Sequence, residues 1–156
     1  MTIHNIRNQL RDNFLNEKFV QVGNSKTIEI ISASFLADEE SIFGKPNYEY
    51  IGRELDWYET LSRNVNDIAG EVPKIWKTVS SCDGEINSNY GYLIFSAENK
   101  EQYEKVLKTL QADPTSRRAV MIYTNPNMHE QWNRKGMTDF VCTNTVQYVI
   151  RDKKLH

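Results

Sequence analysis

A thiol and two guanidinium groups are the side chains of this 156-residue sequence best suited to covalent chemistry on an anionic substrate. Cys142 lies within Thr138-Asp-Phe-Val-Cys-Thr-Asn-Thr-Val-Gln-Tyr-Val-Ile-Arg-Asp152, whose β-branched and aromatic residues predict a strand. On strand alternation Phe140, Cys142, Asn144, Val146, Tyr148 and Ile150 share one face. Apolar neighbours alone would raise a thiol above its ordinary pKa of about 8.5 and leave it inert. Nearby positive charge reverses that effect, and Asp113-Pro-Thr-Ser-Arg-Arg118 supplies Arg117 and Arg118 a short way upstream. Arginine forks also match phosphate oxygens. Adjacent strand residues face opposite ways, so one of the pair can serve its own subunit while the other reaches elsewhere. The competing readings are a cysteine buried for packing and a solvated arginine pair.

Glu54 is the next candidate. Ile51, Leu55 and Tyr58 recur at helical spacing, and Glu54 falls about 60° from Ile51 on that helix, inside or bordering the apolar face. A carboxylate there costs free energy unless it is partnered or protonated. Desolvation would raise its pKa toward the range a general acid or base needs near neutral pH. A stripe-edge glutamate, or one paired with a nearby arginine, fits the same pattern. Trp57, Tyr58, Trp76 and Tyr90 are candidates for stacking on a flat ligand, although such residues also simply build cores.

The elements that must position these groups read as follows. Thr2 caps an opening helix with the stripe Ile3, Ile6, Leu10 and Phe14. Gly23-Asn-Ser25 breaks the pattern before a strand over 27–35, and Phe43-Gly-Lys-Pro46 is a turn. The helical period returns from Tyr48 to Leu61. Glu71-Val-Pro73 separates it from Lys74-Ile-Trp-Lys77, and Asp83-Gly84 is a tight turn. Ser96 is expected to cap a helix with the stripe Tyr103, Val106, Leu107 and Leu110, ending before Asp113-Pro114. Ala119-Val-Met-Ile-Tyr123 reads as a strand buried on both faces, followed by a polar loop to about Met137. The last strand, from Thr138 to Ile150, turns at Arg151-Asp-Lys-Lys154. A partner strand should follow that turn, and none remains before His156, the pattern of an interrupted fold. Helices and strands without regular βαβ alternation predict an α+β class, in a single domain spanning 1–156.

With 39% hydrophobic and 26% charged residues, the composition is that of an ordinary globular domain. A formal net charge of -2 gives no global attraction to nucleic acid or anionic membrane, so phosphate binding must be local. No apolar run approaches the ~20 residues of a membrane span, and the N-terminus lacks a signal-peptide core. Cytoplasmic residence is expected, where thiols stay reduced. Cys82 and Cys142 with scattered His4, His129 and His156 build neither a disulfide framework nor a zinc site, so no metal is expected. Cys82, in a polar turn, reads as incidental.

Taken in order, Arg53-Glu-Leu-Asp-Trp-Tyr58, Lys74-Ile-Trp76, Gly84-Glu-Ile-Asn-Ser-Asn-Tyr-Gly91, Asp113-Pro-Thr-Ser-Arg-Arg118 and the Cys142 segment resemble the thymidylate synthase superfamily. That family carries Pro-Cys-His at its nucleophile, whereas here the residues are Val141-Cys142-Thr143. With Ile86-Asn-Ser-Asn-Tyr-Gly91 and Cys142-Thr-Asn-Thr-Val-Gln-Tyr148, this variant is similar to the bacteriophage deoxycytidylate hydroxymethylases.

The resemblance implies a mixed sheet with packed helices and transfer of a one-carbon unit from 5,10-methylene-tetrahydrofolate to a deoxypyrimidine monophosphate. Cys142 would attack carbon 6, and Glu54 would organise water and proton transfer. Arg117 and Arg118, with Tyr90, Asn144 and Lys26, would hold the nucleotide, the arginines partly across a two-fold homodimer interface. Trp76 and Tyr58 would face the folate. Thymidylate synthase action on deoxyuridylate is the alternative within the family. Relatives continue past the equivalent of His156 with an Arg-Ser phosphate segment, the residue that reads the pyrimidine edge and a folate-closing C-terminus. The resemblance therefore implies a fragment, one half of a split enzyme that needs a complementing chain, or a non-catalytic remnant.

Overall fold

The computed structural model describes residues 1–131 and 134–156. Contacts group the chain into two compact units, Met1–Tyr48 and Glu49–His156. The α+β class is borne out: helices alternate irregularly with three two-stranded antiparallel sheets among the described residues.

In the first unit, helix α1 (Ile3–Leu15) starts at Thr2, as its capping sequence predicts. Asn5 N–H donates to the Thr2 hydroxyl and Thr2 N–H donates to Asn5 Oδ1, so two otherwise orphaned amides are satisfied reciprocally. Only Ile3 and Ile6 of the expected stripe are buried, whereas Phe14 is exposed. Strands β1 (Val20–Val22) and β2 (Ser25–Thr27) form a hairpin around Gly23-Asn24, with Gly23 at a φ of 56° that favours glycine. The expected strand over 27–35 is not formed beyond Thr27. Its β-branched residues have propensity but no pairing edge, and context outweighs propensity.

The second unit holds Cys142, Glu54 and the arginine pair. Helix α2 (Tyr48–Glu59) enters it, followed by a 3-10 turn at Val65–Asp67 and helices α3 (Lys74–Val79), α4 (Tyr90–Phe95) and α5 (Gln102–Ala112). Strand β3 (Val120–Ile122), helix α6 (Asn127–Gln131), strand β4 (Thr145–Gln147) and the hairpin of β5 (Ile150–Arg151) with β6 (Lys154–Leu155) complete it. One apolar cluster joins Trp57, Val65, Ile68 and Ile86; the other joins Leu93, Val106, Ala119, Met121, Tyr123, Met128 and Val141.

The face of α2 turned to the core holds Trp57, flanked by half-buried Glu54 and Tyr58, while Ile51 and Leu55 are exposed. The inward polar groups are tolerated because hydrogen bonds satisfy them. Ser96 does not cap α5. It ends α4, a helix the sequence reading missed, and its hydroxyl accepts from Asn99 N–H. β3 is buried on one face only, since Met121 is buried and Ile122 is exposed. The polar loop contains α6, and the part of that expectation falling on 132–133 lies outside the described residues. Cys142 is not in a strand: pairing begins at Thr145 in β4 and resumes at Ile150 in β5, and Cys142 occupies a bend before both. After the charged turn, Lys154–Leu155 does return to pair with Ile150–Arg151.

The sharpest packing constraint is the crossing of α4 over α2. A Cβ on Gly91 would fall within 2.5 Å of the Tyr58 carbonyl carbon, and closer still to its oxygen. Gly52, on the exposed side of α2, has nothing within 4 Å. Gly91→Ala should therefore destabilise the protein by about 3 kcal/mol or prevent folding, because backbone cannot yield as a side chain does. Gly52→Ala should instead stabilise it by roughly 0.5–1 kcal/mol through helix propensity. Urea unfolding of the two variants checks both signs.

Candidate active site

Cys142 is exposed, so the packing reading of this cysteine does not hold. Its loop is held by Tyr90, the first residue of α4. The Tyr90 hydroxyl oxygen accepts from Cys142 N–H at 3.2 Å and from Thr143 N–H at 3.1 Å. On one side of Cys142, Val141 is buried in the larger apolar cluster. On the other, the Asn144 carbonyl accepts from Tyr123 N–H at 2.9 Å, and its side-chain oxygen accepts from the Thr124 hydroxyl at 2.6 Å. Fixed on both sides, the thiol is presented to solvent on a short, anchored bend.

α4 begins where it does because Asn89 caps it, accepting from Tyr92 N–H at 2.8 Å. The Asn89 amide donates back to the Ser62 carbonyl at 2.6 Å, tying the cap to the chain just after α2. From Tyr90 an aromatic series leads to Glu54: Tyr90 meets Tyr58 edge-on at 6.1 Å, and Tyr58 contacts Trp57 at 5.5 Å. Trp57 in turn meets Trp76 at 5.7 Å. Such offset and edge contacts fix ring orientation as well as burying area.

Glu54 is half-buried, and its partner is a phenol. Tyr50, one helical turn earlier, donates to Glu54 Oε1 at 2.7 Å, and Trp76 Nε1–H donates to the Tyr50 hydroxyl at 2.6 Å. The arginine-paired reading of Glu54 is not realised: neighbouring Arg53 donates to the carbonyls of Ala69 and Glu71. Burial pushes Tyr50 up to about 12; the Trp76 hydrogen bond works against the rise and the Glu54 carboxylate adds to it. Tyr58 is raised further, first by burial and then by the adjacent Glu54 charge. Both phenols are thus fully protonated near neutral pH, and Tyr50 is available there as a donor to Glu54.

The structure gathers Cys142, Asn144, Tyr90, Tyr58, Glu54 and Trp76 in the second unit. It does not put the arginines beside the thiol. Arg117 and Arg118 are exposed just before β3, at the Val120–Gln147 end of the β3–β4 ladder, whereas Cys142 lies past the Ile122–Thr145 end. Strand direction decides this separation, which spacing along the sequence does not convey. Arg117 is fixed through its carbonyl, which accepts from the Gln147 amide at 2.7 Å. Lys26 belongs to the first unit, its ammonium 6.0 Å from the Phe19 ring centre. Tyr50 was missed by the sequence reading, although its position four residues before Glu54 was the available signal.

Residues 44–156 match the family model for thymidylate synthase, and the chain belongs to that family. It is 60% identical over 131 residues to the deoxycytidylate 5-hydroxymethyltransferase of Enterobacteria phage T4, covering 84% of this chain and 53% of the phage protein. The phage T6 protein of the same name gives the same figures. A thymidylate synthase of Bacillus atrophaeus is 27% identical over 111 residues, covering 67% of this chain and 47% of that protein. The chain thus spans about half the length of these relatives.

The raised phenols give a pH test. A tyrosine whose folded pKa exceeds its unfolded value of about 10 contributes stability that is complete below pH 10 and is lost as pH climbs through the folded value. The wild-type chain should therefore lose stability between pH 10 and about 12 more steeply than Tyr50→Phe, whose urea midpoint should vary less over that window. Equal slopes would show that Tyr50 ionises as an ordinary exposed phenol.

Proposed function

We propose that this chain acts in deoxycytidylate hydroxymethylation, moving a one-carbon unit from 5,10-methylene-tetrahydrofolate to carbon 5 of deoxycytidylate and adding water to give 5-hydroxymethyl-deoxycytidylate. The observation that carries the reading is the exposed Cys142 on its Tyr90-anchored bend. The 60% identity to phage hydroxymethyltransferases, against 27% to thymidylate synthases, favours cytosine over uracil as the base.

Carbon 5 of a pyrimidine is too weak a nucleophile to act alone. Addition of the Cys142 thiolate at carbon 6 gives carbon 5 enamine character, the usual gain of covalent catalysis. The folate supplies the incoming carbon at the formaldehyde level. Loss of the carbon-5 proton and departure of tetrahydrofolate leave an exocyclic methylene, to which water adds; the thiolate then leaves carbon 6. Glu54, its carboxylate aligned by Tyr50, positions that water and relays its proton. Trp76 and Tyr58 offer aromatic edges and faces that suit a pteridine. Asn144 shares the nucleophile bend and serves the nucleotide.

Arg117 and Arg118 fit a phosphate site, and their place at the far end of the β3–β4 ladder suits a nucleotide bound to a second copy of the chain. In this reading the active unit is a homodimer or a pairing with a complementing chain. No helix among the described residues is long and apolar enough to cross a membrane.

Loss of the carbon-5 hydrogen from labelled deoxycytidylate, without dihydrofolate formation, is the expected activity. Dihydrofolate appearing with deoxyuridylate would instead assign thymidylate synthase. Cys142→Ser should lower turnover by at least about 10³-fold, as removal of a covalent nucleophile does. Mixing Cys142→Ser with the Arg117→Ala/Arg118→Ala double variant should recover activity that neither has alone, through mixed dimers with one intact site. No recovery would place the arginines and the thiol in the same copy's site.

A further inference from the structure

Asp139 is a buried carboxylate that the chemistry above does not use. It lies three residues before Cys142 and is 6% exposed. Its Oδ2 accepts from the backbone N–H of Asn87 at 2.7 Å and of Ser88 at 2.9 Å. The Ser88 hydroxyl reaches both carboxylate oxygens, at 2.7 and 2.9 Å. The contact is reciprocal, because the Asn87 amide donates to the Asp139 carbonyl at 3.3 Å and to Met137 Sδ at 3.2 Å. Arg63 holds the outer side of Asn87, donating to its Oδ1 at 2.9 Å.

These bonds join the segment leading into the nucleophile bend to the segment leading into α4. Residues 87–89 lead directly into α4, whose first residue is Tyr90. Asp139 therefore ties the start of the bend to the start of α4, and the Tyr90 hydroxyl ties the bend again at Cys142 and Thr143. The opposite edge is also closed, since Thr138 and Asp139 N–H both donate to the Val79 carbonyl, at 2.8 and 3.1 Å. Tyr90 and the Asn144 bonds hold the bend from Cys142 onward, and the Asp139 carboxylate holds the segment that leads into it, three residues earlier.

We infer that Asp139 is a positioning residue for the Cys142 thiol, acting by clamping the nucleophile bend to residues 87 and 88. The inference rests on the nucleophile assignment proposed above. Because both oxygens act as acceptors, the role is one of geometry. An asparagine can fill it, its oxygen accepting from the two backbone amides and its NH2 group donating to the Ser88 hydroxyl.

Amide hydrogen exchange and turnover, both measured on the full chain, test it. In Asp139→Ala, exchange at Asn87, Ser88, Cys142 and Thr143 should quicken by about 10-fold or more, while the β3–β4 amides stay as slow as in wild type. The kcat for carbon-5 hydrogen release should fall by about 10-fold or more with the nucleotide KM within about 3-fold, since a misplaced nucleophile loses alignment before it loses binding. Asp139→Asn should restore both readouts to within about 3-fold of wild type.

Unchanged exchange at Cys142 and Thr143 in Asp139→Ala would overturn the inference, as would low turnover in an Asp139→Asn variant whose exchange is restored. Should Asp139→Ala not fold, Tyr90→Phe decides the matter. It must quicken Cys142 and Thr143 while Asn87 and Ser88 stay slow, and quickening of all four would refute two separate ties. Normal turnover by Cys142→Ser would sink the nucleophile assignment alone, leaving the exchange result to judge the clamp.

Discussion

One phenolic oxygen receiving two successive backbone amides is the constraint on which the rest of the second unit depends. The Tyr90 hydroxyl oxygen takes the N–H groups of Cys142 and Thr143, groups that a strand would have paired with a neighbouring chain segment. Satisfying them from a side chain lets the backbone bend there without orphaned donors. The thiol can then leave the sheet surface and stand exposed. That bond has value only if Tyr90 itself cannot move, and the surrounding sequence is arranged to hold it. Asn89 caps its helix and reaches back to Ser62, while Gly91 lets the helix lie directly on the Tyr58 backbone.

Glu54 lies on the same helix as Tyr58, one turn before it. α2 turns an unusual face inward, with Glu54 and Tyr58 flanking Trp57 and the apolar Ile51 and Leu55 left outside. This rotation buries Trp57, the largest side chain of the helix, and leaves Ile51 and Leu55 in solvent. It is held by specific bonds: Tyr50 to Glu54, Trp76 to Tyr50, and Trp57 Nε1–H to the Asn64 carbonyl at 3.1 Å. Part of the hydrophobic gain of α2 is given up so that a carboxylate can sit among aromatic rings with its hydrogen bonding satisfied. Such an exchange is characteristic of functional positions, where local rules of folding are broken for chemistry.

Much of the scaffold was legible from local sequence. The Thr2 cap, the turn at Gly84, the end of α5 at Asp113 and the hairpin turn after Arg151 each rest on one or two residues whose side-chain or backbone preferences act at short range. What escaped depends on partners distant in the chain. The strand expected over 27–35 has propensity but no edge to pair with, and α4 is too short for a periodic stripe to announce it. In the site, Cys142, Glu54, Trp76, Tyr58 and Tyr90 could be named from residue type and order. Their connections could not, because the Tyr90–Cys142 and Asp139–Ser88 bonds each span about fifty residues. The arginines were misplaced relative to the thiol for the same reason, since a short strand carries them to the other end of its ladder.

The central claim is that the Cys142 sulfur bonds to the pyrimidine during turnover. It is tested most directly with 5-fluoro-deoxycytidylate and 5,10-methylene-tetrahydrofolate, because carbon 5 then carries fluorine in place of the proton that must leave. Mass analysis of the proteolysed protein should find nucleotide and folate joined to the peptide containing Cys142, with Cys82 unmodified. Turnover of deoxycytidylate by a protein in which the fluorinated nucleotide leaves Cys142 untouched, or attaches elsewhere, would contradict it.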